Sequence, residues 1–212
     1  MKSVTPRSKA NPGRPKDMEK RAAILKAAAR LFVANGLDAT SMDAVAAAAG
    51  VSKLTVYSHF GDKDSLFQAA VSARCEQQMP ATLFTVAAGT PIEQALLGIA
   101  RGFHALVHSE EAISLHRMMI ANAGQSSHLA ELFYAAGPRR ILDALEGFLC
   151  EAVRTGQVRI SDLPLAAEQF FLLCKGLSHM RRLVGCSKAP SRQERDRHLL
   201  GAVRLFLGAY RL

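Results

Sequence analysis

The chain has 212 residues, nearly half of them apolar, with few aromatics, and no apolar run reaches the roughly 18 residues of a membrane span. Its Ala- and Leu-rich, Val/Ile-poor make-up is that of a helical protein, long enough for a small head on a larger body. The net charge is +9, but residues 1–63 hold 11 Lys and Arg against 5 Asp and Glu, while residues 64–212 hold 16 against 13. A basic head on a near-neutral body suits a polyanion partner; a basic solubility tail would leave the same signature.

The opening stretch MKSVTPRSKANPGRPK has no apolar core of a secretory signal. Cys75, Cys150, Cys174 and Cys186 are scattered without CxxC spacing, as in a reduced, cytoplasmic protein, a redox-sensing thiol being the minority reading. Residues 1–17 carry three prolines and a glycine among polar and basic residues, which predicts a mobile arm. Within it, Gly13-Arg14-Pro15-Lys16 fits an extended segment whose Arg14 enters a narrow minor groove, or a tail that adds only diffuse charge.

A first helix is expected from Met18 to Asn35, with Ile24, Ala28, Leu31 and Phe32 on its apolar stripe and Asn35-Gly36 as its stop. A second should start at Thr40, where Thr40-x-x-Asp43 has the form of a capping box, bury Met42, Val45, Ala46 and Ala49, and end at Gly50. A third should begin at Ser52 as N-cap, with Val51, Val56 and Phe60 inward and Ser52, Thr55 and His59 outward, flanked by Lys53 and Tyr57. A fourth starts near Lys63. Two short helices crossing at a glycine, the second rich in side-chain donors, make a helix-turn-helix whose outer face suits a major groove.

Thr40, Val45-Ala46, Ala49-Gly50-Val51-Ser52-Lys53, Thr55-Val56-Tyr57, Phe60, Lys63 and Leu66-Phe67, with the first-helix residues Ile24 to Phe32, resemble the DNA-binding signature of the TetR family of bacterial transcriptional repressors over about residues 18–67. Leu54 departs from it, standing where the family usually has a small residue. The resemblance implies that Thr40 holds a phosphate, that Tyr57 and Lys63 clamp the backbone, and that Lys53, Thr55 and Ser52 reach base edges. His59 is left between a phosphate contact and a helix cap.

Beyond Lys63 the periodicity predicts about seven helices, near 63–78, 91–107, 110–123, 126–136, 138–156, 164–184 and 191–211. Pro91, Pro138, Pro164 and Pro190 each precede or open one. The body resembles the variable ligand-binding domain of the TetR family, and the run from His128 to Val158 resembles its AefR-like type. Apolar Phe103, Met119, Phe133 and Phe148, with polar His104, His116 and Asn122, are the candidate lining of a small-molecule pocket, though Met and Phe at helical spacing also build ordinary cores. His104-x-x-x-His108 has metal-ligand spacing, but no third ligand is fixed, so surface or core histidines are the better reading and no metal or other cofactor is expected. Phe170, Leu173, Leu177, Met180 and Val184, and then Leu199, Val203, Phe206 and Tyr210, recur every three or four residues like coiled-coil seams. They predict a four-helix interface of a homodimer, against a plain core helix pair in a monomer.

The whole predicts an all-α chain: an arm over 1–17, a three-helix DNA-binding head over 18–63, and a helical effector-binding and dimerisation body over 64–212. Its expected partners are a palindromic double-stranded operator, a small apolar or amphipathic effector and a second copy of itself, with no membrane. With no G-x-S-x-G, P-loop or Rossmann fingerprint, a repressor is favoured over an enzyme. A helical small-molecule-binding enzyme and a nonspecific architectural DNA-binding protein are the alternatives.

Overall fold

The structure is a computed structural model that describes residues 13–85, 89–124 and 127–210, with side chains from residue 17 onward. The described residues are helical and form two compact units that divide after Leu66. Among them no helix is long and apolar enough to cross a membrane.

The first unit contains α1 (Gly13–Ala39), α2 (Met42–Ala49), α3 (Lys53–Phe60) and the start of α4 (Lys63–Gln78). α1 opens before the expected Met18 and takes in the stretch expected to be extended. Pro15 falls in its first turn, where a missing N–H costs nothing. Gly36 leaves helical geometry at φ 82°, ψ 169°, so the expected stop is a break that glycine tolerates. The core of this unit joins Ile24, Ala28 and Phe32 of α1 to Leu37, to Met42, Val45 and Ala46 of α2, and to Val56 and Phe60 of α3.

The second unit contains the rest of α4, a 3-10 turn over Ala81–Phe84, α5 (Ile92–Val107), α6 (Glu110–Ala121), α7 (Ser127–Ala136), α8 (Pro138–Arg154), α9 (Leu163–Leu183) and α10 (Arg192–Tyr210). α5 lies against α9 and α10, α8 against α9, and α7 against α8. Leu96, Ile99, Leu145, Phe148, Leu149, Phe170, Cys174, Leu199, Val203 and Phe206 fill the space between them. Caps set the ends: Ser109 accepts from the Ala112 amide, Asp162 accepts from the Leu165 amide, and Pro138 opens α8. α9 is broken at Gly176, at φ 62°, ψ 172°, a break the apolar periodicity does not announce.

Candidate nucleic-acid interface and ligand site

The turn between α2 and α3 is built from Gly50, Val51 and Ser52. Gly50 adopts the left-handed conformation (φ 67°) and its N–H bonds back to the end of α2. Ser52 caps α3: its Oγ accepts the Thr55 amide at 3.1 Å and lies 2.8 Å from Thr55 Oγ1. With Val56 and Phe60 buried, α3 presents Ser52, Lys53, Leu54, Tyr57 and Ser58 to solvent, with Thr55 half-buried beside them. Lys53 Nζ sits 2.9 Å from Asp43 and 5.9 Å from the centre of the Tyr57 ring. The hydrogen bond to Asp43, then its charge, raises the Lys53 pKa. Lys63 Nζ donates to the Asp38 carbonyl at 3.2 Å, and Asp62 caps the start of α4 by accepting the Ser65 amide at 2.7 Å.

Three expectations about this face change. Thr40 does not cap α2; Ser41 does, accepting the Ala44 amide at 3.1 Å. The Thr40 side chain is buried, and its hydroxyl is shared between the Gly36 carbonyl at 2.7 Å and the Leu31 carbonyl at 3.2 Å. That hydroxyl closes the broken end of α1 and is withdrawn from a phosphate. His59 turns toward α1, with Nε2 3.1 Å from the Asp17 carboxylate and the ring largely covered, so it is neither a helix cap nor a free phosphate ligand. The Arg14 side chain lies outside the described residues.

In the second unit, histidines from three helices converge. His104 of α5 and His108, which caps its C-terminus, are buried and stacked, 3.9 Å between ring centres. His108 Nε2 donates to the Lys175 carbonyl at 3.3 Å, and its buried Nδ1 has no partner among the described residues. His116 Nδ1 of α6 lies 3.3 Å from His179 Nε2 of α9, and the His116 ring meets Phe133 edge-on. Burial, reinforced by neighbouring histidines and cations, pushes His104 down to about 4 and His179 to about 3. Burial with the Lys175 charge takes His116 to about 4. These rings are therefore neutral at ordinary pH. Buried Arg182 closes the cluster by donating to the His108 carbonyl and to Glu110. Among the described residues no group of three or more His, Cys, Asp or Glu is placed to hold a metal ion.

The proposed pocket residues do not share one wall. Phe103 packs on Phe171, 4.3 Å between ring centres, and Phe148 belongs to the filled core. Met119 and Asn122 line a partly open cleft of about 260 Å³ with Ile120, Ala123, Leu129 and Ala130. Asn122 also donates to the Met118 carbonyl at 2.8 Å.

Two family models match the chain: the one described as bacterial regulatory proteins of the tetR family over residues 24–70, and the AefR-like transcriptional repressor C-terminal domain over residues 94–212. The HTH-type transcriptional regulator SrpR of Pseudomonas putida is 30% identical over 161 residues, 75% of this chain and 73% of SrpR. The chain belongs to the TetR family of transcriptional regulators. A TetR-family structure from Mesorhizobium loti MAFF303099 is 31% identical, with a TM-score of 0.75 over 93% of this chain and 99% of that one. The flavonoid-responsive regulator FrrA is also 31% identical, with a TM-score of 0.71 over 92% and 98%. As a TetR-family member the chain is a DNA-binding regulator of the repressor type and not an enzyme.

The expected dimer seam is split by the structure. Phe170, Leu199, Val203 and Phe206 are at most 2% exposed and belong to the chain's own core, so a partner cannot reach them. Leu173 and Tyr210 pack against that core, and the Tyr210 hydroxyl donates to Gln169 at 2.8 Å. Leu177, Met180 and Val184 are 75%, 58% and 68% exposed. Within α9 the break at Gly176 separates buried Phe170 and half-buried Leu173 from exposed Leu177, Met180 and Val184, because a seam of constant period cannot keep one face across a kink. Leu165 and Leu172 of α9 and Leu205 of α10, which the sequence reading did not single out, are also exposed. His179 and Arg182 were missed because they sit inside the supposed seam, and only their i, i+3 spacing marks a polar face there.

Proposed function

We propose that the chain works as a homodimeric repressor in the cytoplasm, whose heads (residues 18–63) hold a palindromic operator and whose bodies (residues 64–212) release it on binding a small apolar or amphipathic effector. The observation that carries the reading is the α3 face, a solvent-exposed row of donors on the second helix of a capped helix-turn-helix. Ser52, Lys53 and Thr55 address base edges, and Tyr57 and Lys63 address phosphates. Lys53 leaves Asp43, and Lys63 leaves the Asp38 carbonyl, to do so. Residues 1–17 add positive charge at the same end of the chain.

Pairing of two copies through Leu165, Leu172, Leu177, Met180, Val184 and Leu205 would cover these exposed apolar side chains and set two heads on two half-sites. The effector is assigned to the second unit, where neutral His116 beside Phe133 and the cleft at Met119 and Asn122 combine apolar walls with few polar groups. Support for the class comes from FrrA, which is described as flavonoid-responsive; a planar, hydroxylated aromatic is the first ligand to try.

The test is calorimetric titration of a flavonoid panel into free and operator-bound dimer. An inducer binds the free dimer more tightly by the factor by which it weakens operator binding, a coupling of about 1–3 kcal/mol. Equal affinity in both states rules that ligand out as inducer. No binding across the panel removes the flavonoid assignment and leaves the DNA-binding half standing.

A further inference from the structure

The recognition helix carries one side chain that its donor chemistry does not use. Leu54 is 79% exposed at the second position of α3. At about 100° per residue it lies about 160° around the helix from buried Val56 and about 120° from buried Phe60, so it points away from the core. A lone exposed leucine is ordinary on a protein surface; this one stands at the crest of the face that enters the groove. The polar groups around it are engaged with one another. Ser58 Oγ donates to the Thr55 carbonyl at 2.9 Å, Thr55 Oγ1 meets Ser52 Oγ at 2.8 Å, and Lys53 is held by Asp43. Leu54 can therefore advance into a groove without breaking a bond.

Resting on the DNA-binding role of α3, we propose that Leu54 is a specificity residue that reads the 5-methyl group of a thymine in each operator half-site. In the major groove the only apolar group on a base edge is that methyl, which separates thymine from the other three bases. An isobutyl side chain offers no donor or acceptor to any base, so its one favourable contact is with this group. Its discrimination is the removal of one methyl group from water, about fourfold in affinity per half-site. Tyr57, exposed on the same helix, then supplies a phosphate contact that carries no base identity.

The experiment is selection of duplexes from a random pool by the full-length protein, wild-type and Leu54→Ala. Binding of wild-type protein to the selected operator is then compared with thymine or uracil at each half-site position. The expected result is one position per half-site where thymine is selected by the wild type and lost by Leu54→Ala. At that position uracil weakens wild-type binding about fourfold per half-site and leaves the variant unaffected. Identical selected sequences for both proteins, or wild-type indifference to uracil everywhere, overturns the assignment of Leu54 while DNA binding itself stands. Failure of the wild type to select any sequence overturns the DNA-binding reading beneath it. The uracil comparison uses the unaltered protein, so it does not depend on how the variant folds.

Discussion

Thr40 shows how one side chain's role turns on where its hydroxyl finds an acceptor. Both Thr40 and Ser41 can cap a helix, and the sequence offers them side by side. The structure gives the cap to Ser41, while the hydroxyl of buried Thr40 reaches the Leu31 and Gly36 carbonyls beside the break in α1. Thr40→Val keeps the shape and removes the bond. It should destabilise the head by about 1–2 kcal/mol, with the salt dependence of DNA binding unchanged in the folded fraction. Urea denaturation and a salt series on the same variant separate the two effects; an unchanged midpoint with a shallower salt slope would return Thr40 to the phosphate. That bond was not legible in the sequence, because the Leu31 acceptor is nine residues away and comes within reach only through the break at Gly36. Ser52 was legible, because a cap and the amide it serves are close in the chain.

At the scale of elements, most helices of the body could be read from their punctuation. Pro91 and Pro138 stand where α5 and α8 open, and the apolar periodicity carries each helix to its end. The exception is α9, whose Gly176 sits inside a pattern that continues on both sides of it. The pattern is set by local spacing, whereas the break depends on packing: the His198 ring lies against Gly176, where an added Cβ would come within 2.8 Å of it. Beyond the break, α9 places His179 and Arg182 against α5 and α6. That arrangement makes the body acid-sensitive. His104, His108, His116 and His179 are all held below the usual histidine range, mainly by burial. Lys175 and Arg182 of α9 and Arg195 and His198 of α10 add to the effect at individual rings. A lowered pKa means that the unfolded chain binds protons the folded chain refuses. The stability from this cluster is complete above about pH 6.5 and is lost as pH falls through the folded values. The melting temperature at pH 5 should lie well below that at pH 7.5. His179→Phe should flatten the profile; one as steep as that of the wild type would show that the cluster is not the cause.

For the molecule as a whole, the partition of apolar side chains between core and surface decides how copies pair. Phe206→Glu would bury a charge in the protomer's own core, at a cost of several kcal/mol, and should give misfolded protein. Leu177→Glu places the charge on an exposed position and should give a folded monomer with reduced operator affinity. Sedimentation velocity with circular dichroism distinguishes the cases, and a folded Leu177→Glu dimer would move the interface off this part of α9. DNA recognition by the head is decided by its salt dependence. Operator affinity of the dimer is measured against salt for wild-type protein and Lys63→Ala. Log affinity should fall steeply and linearly with log salt, about −0.9 per phosphate contact, with a slope reduced by about 1 for each lysine contact removed and all sequences weakened alike. Salt-insensitive binding, or a Lys63→Ala protein with the wild-type slope, would contradict this prediction.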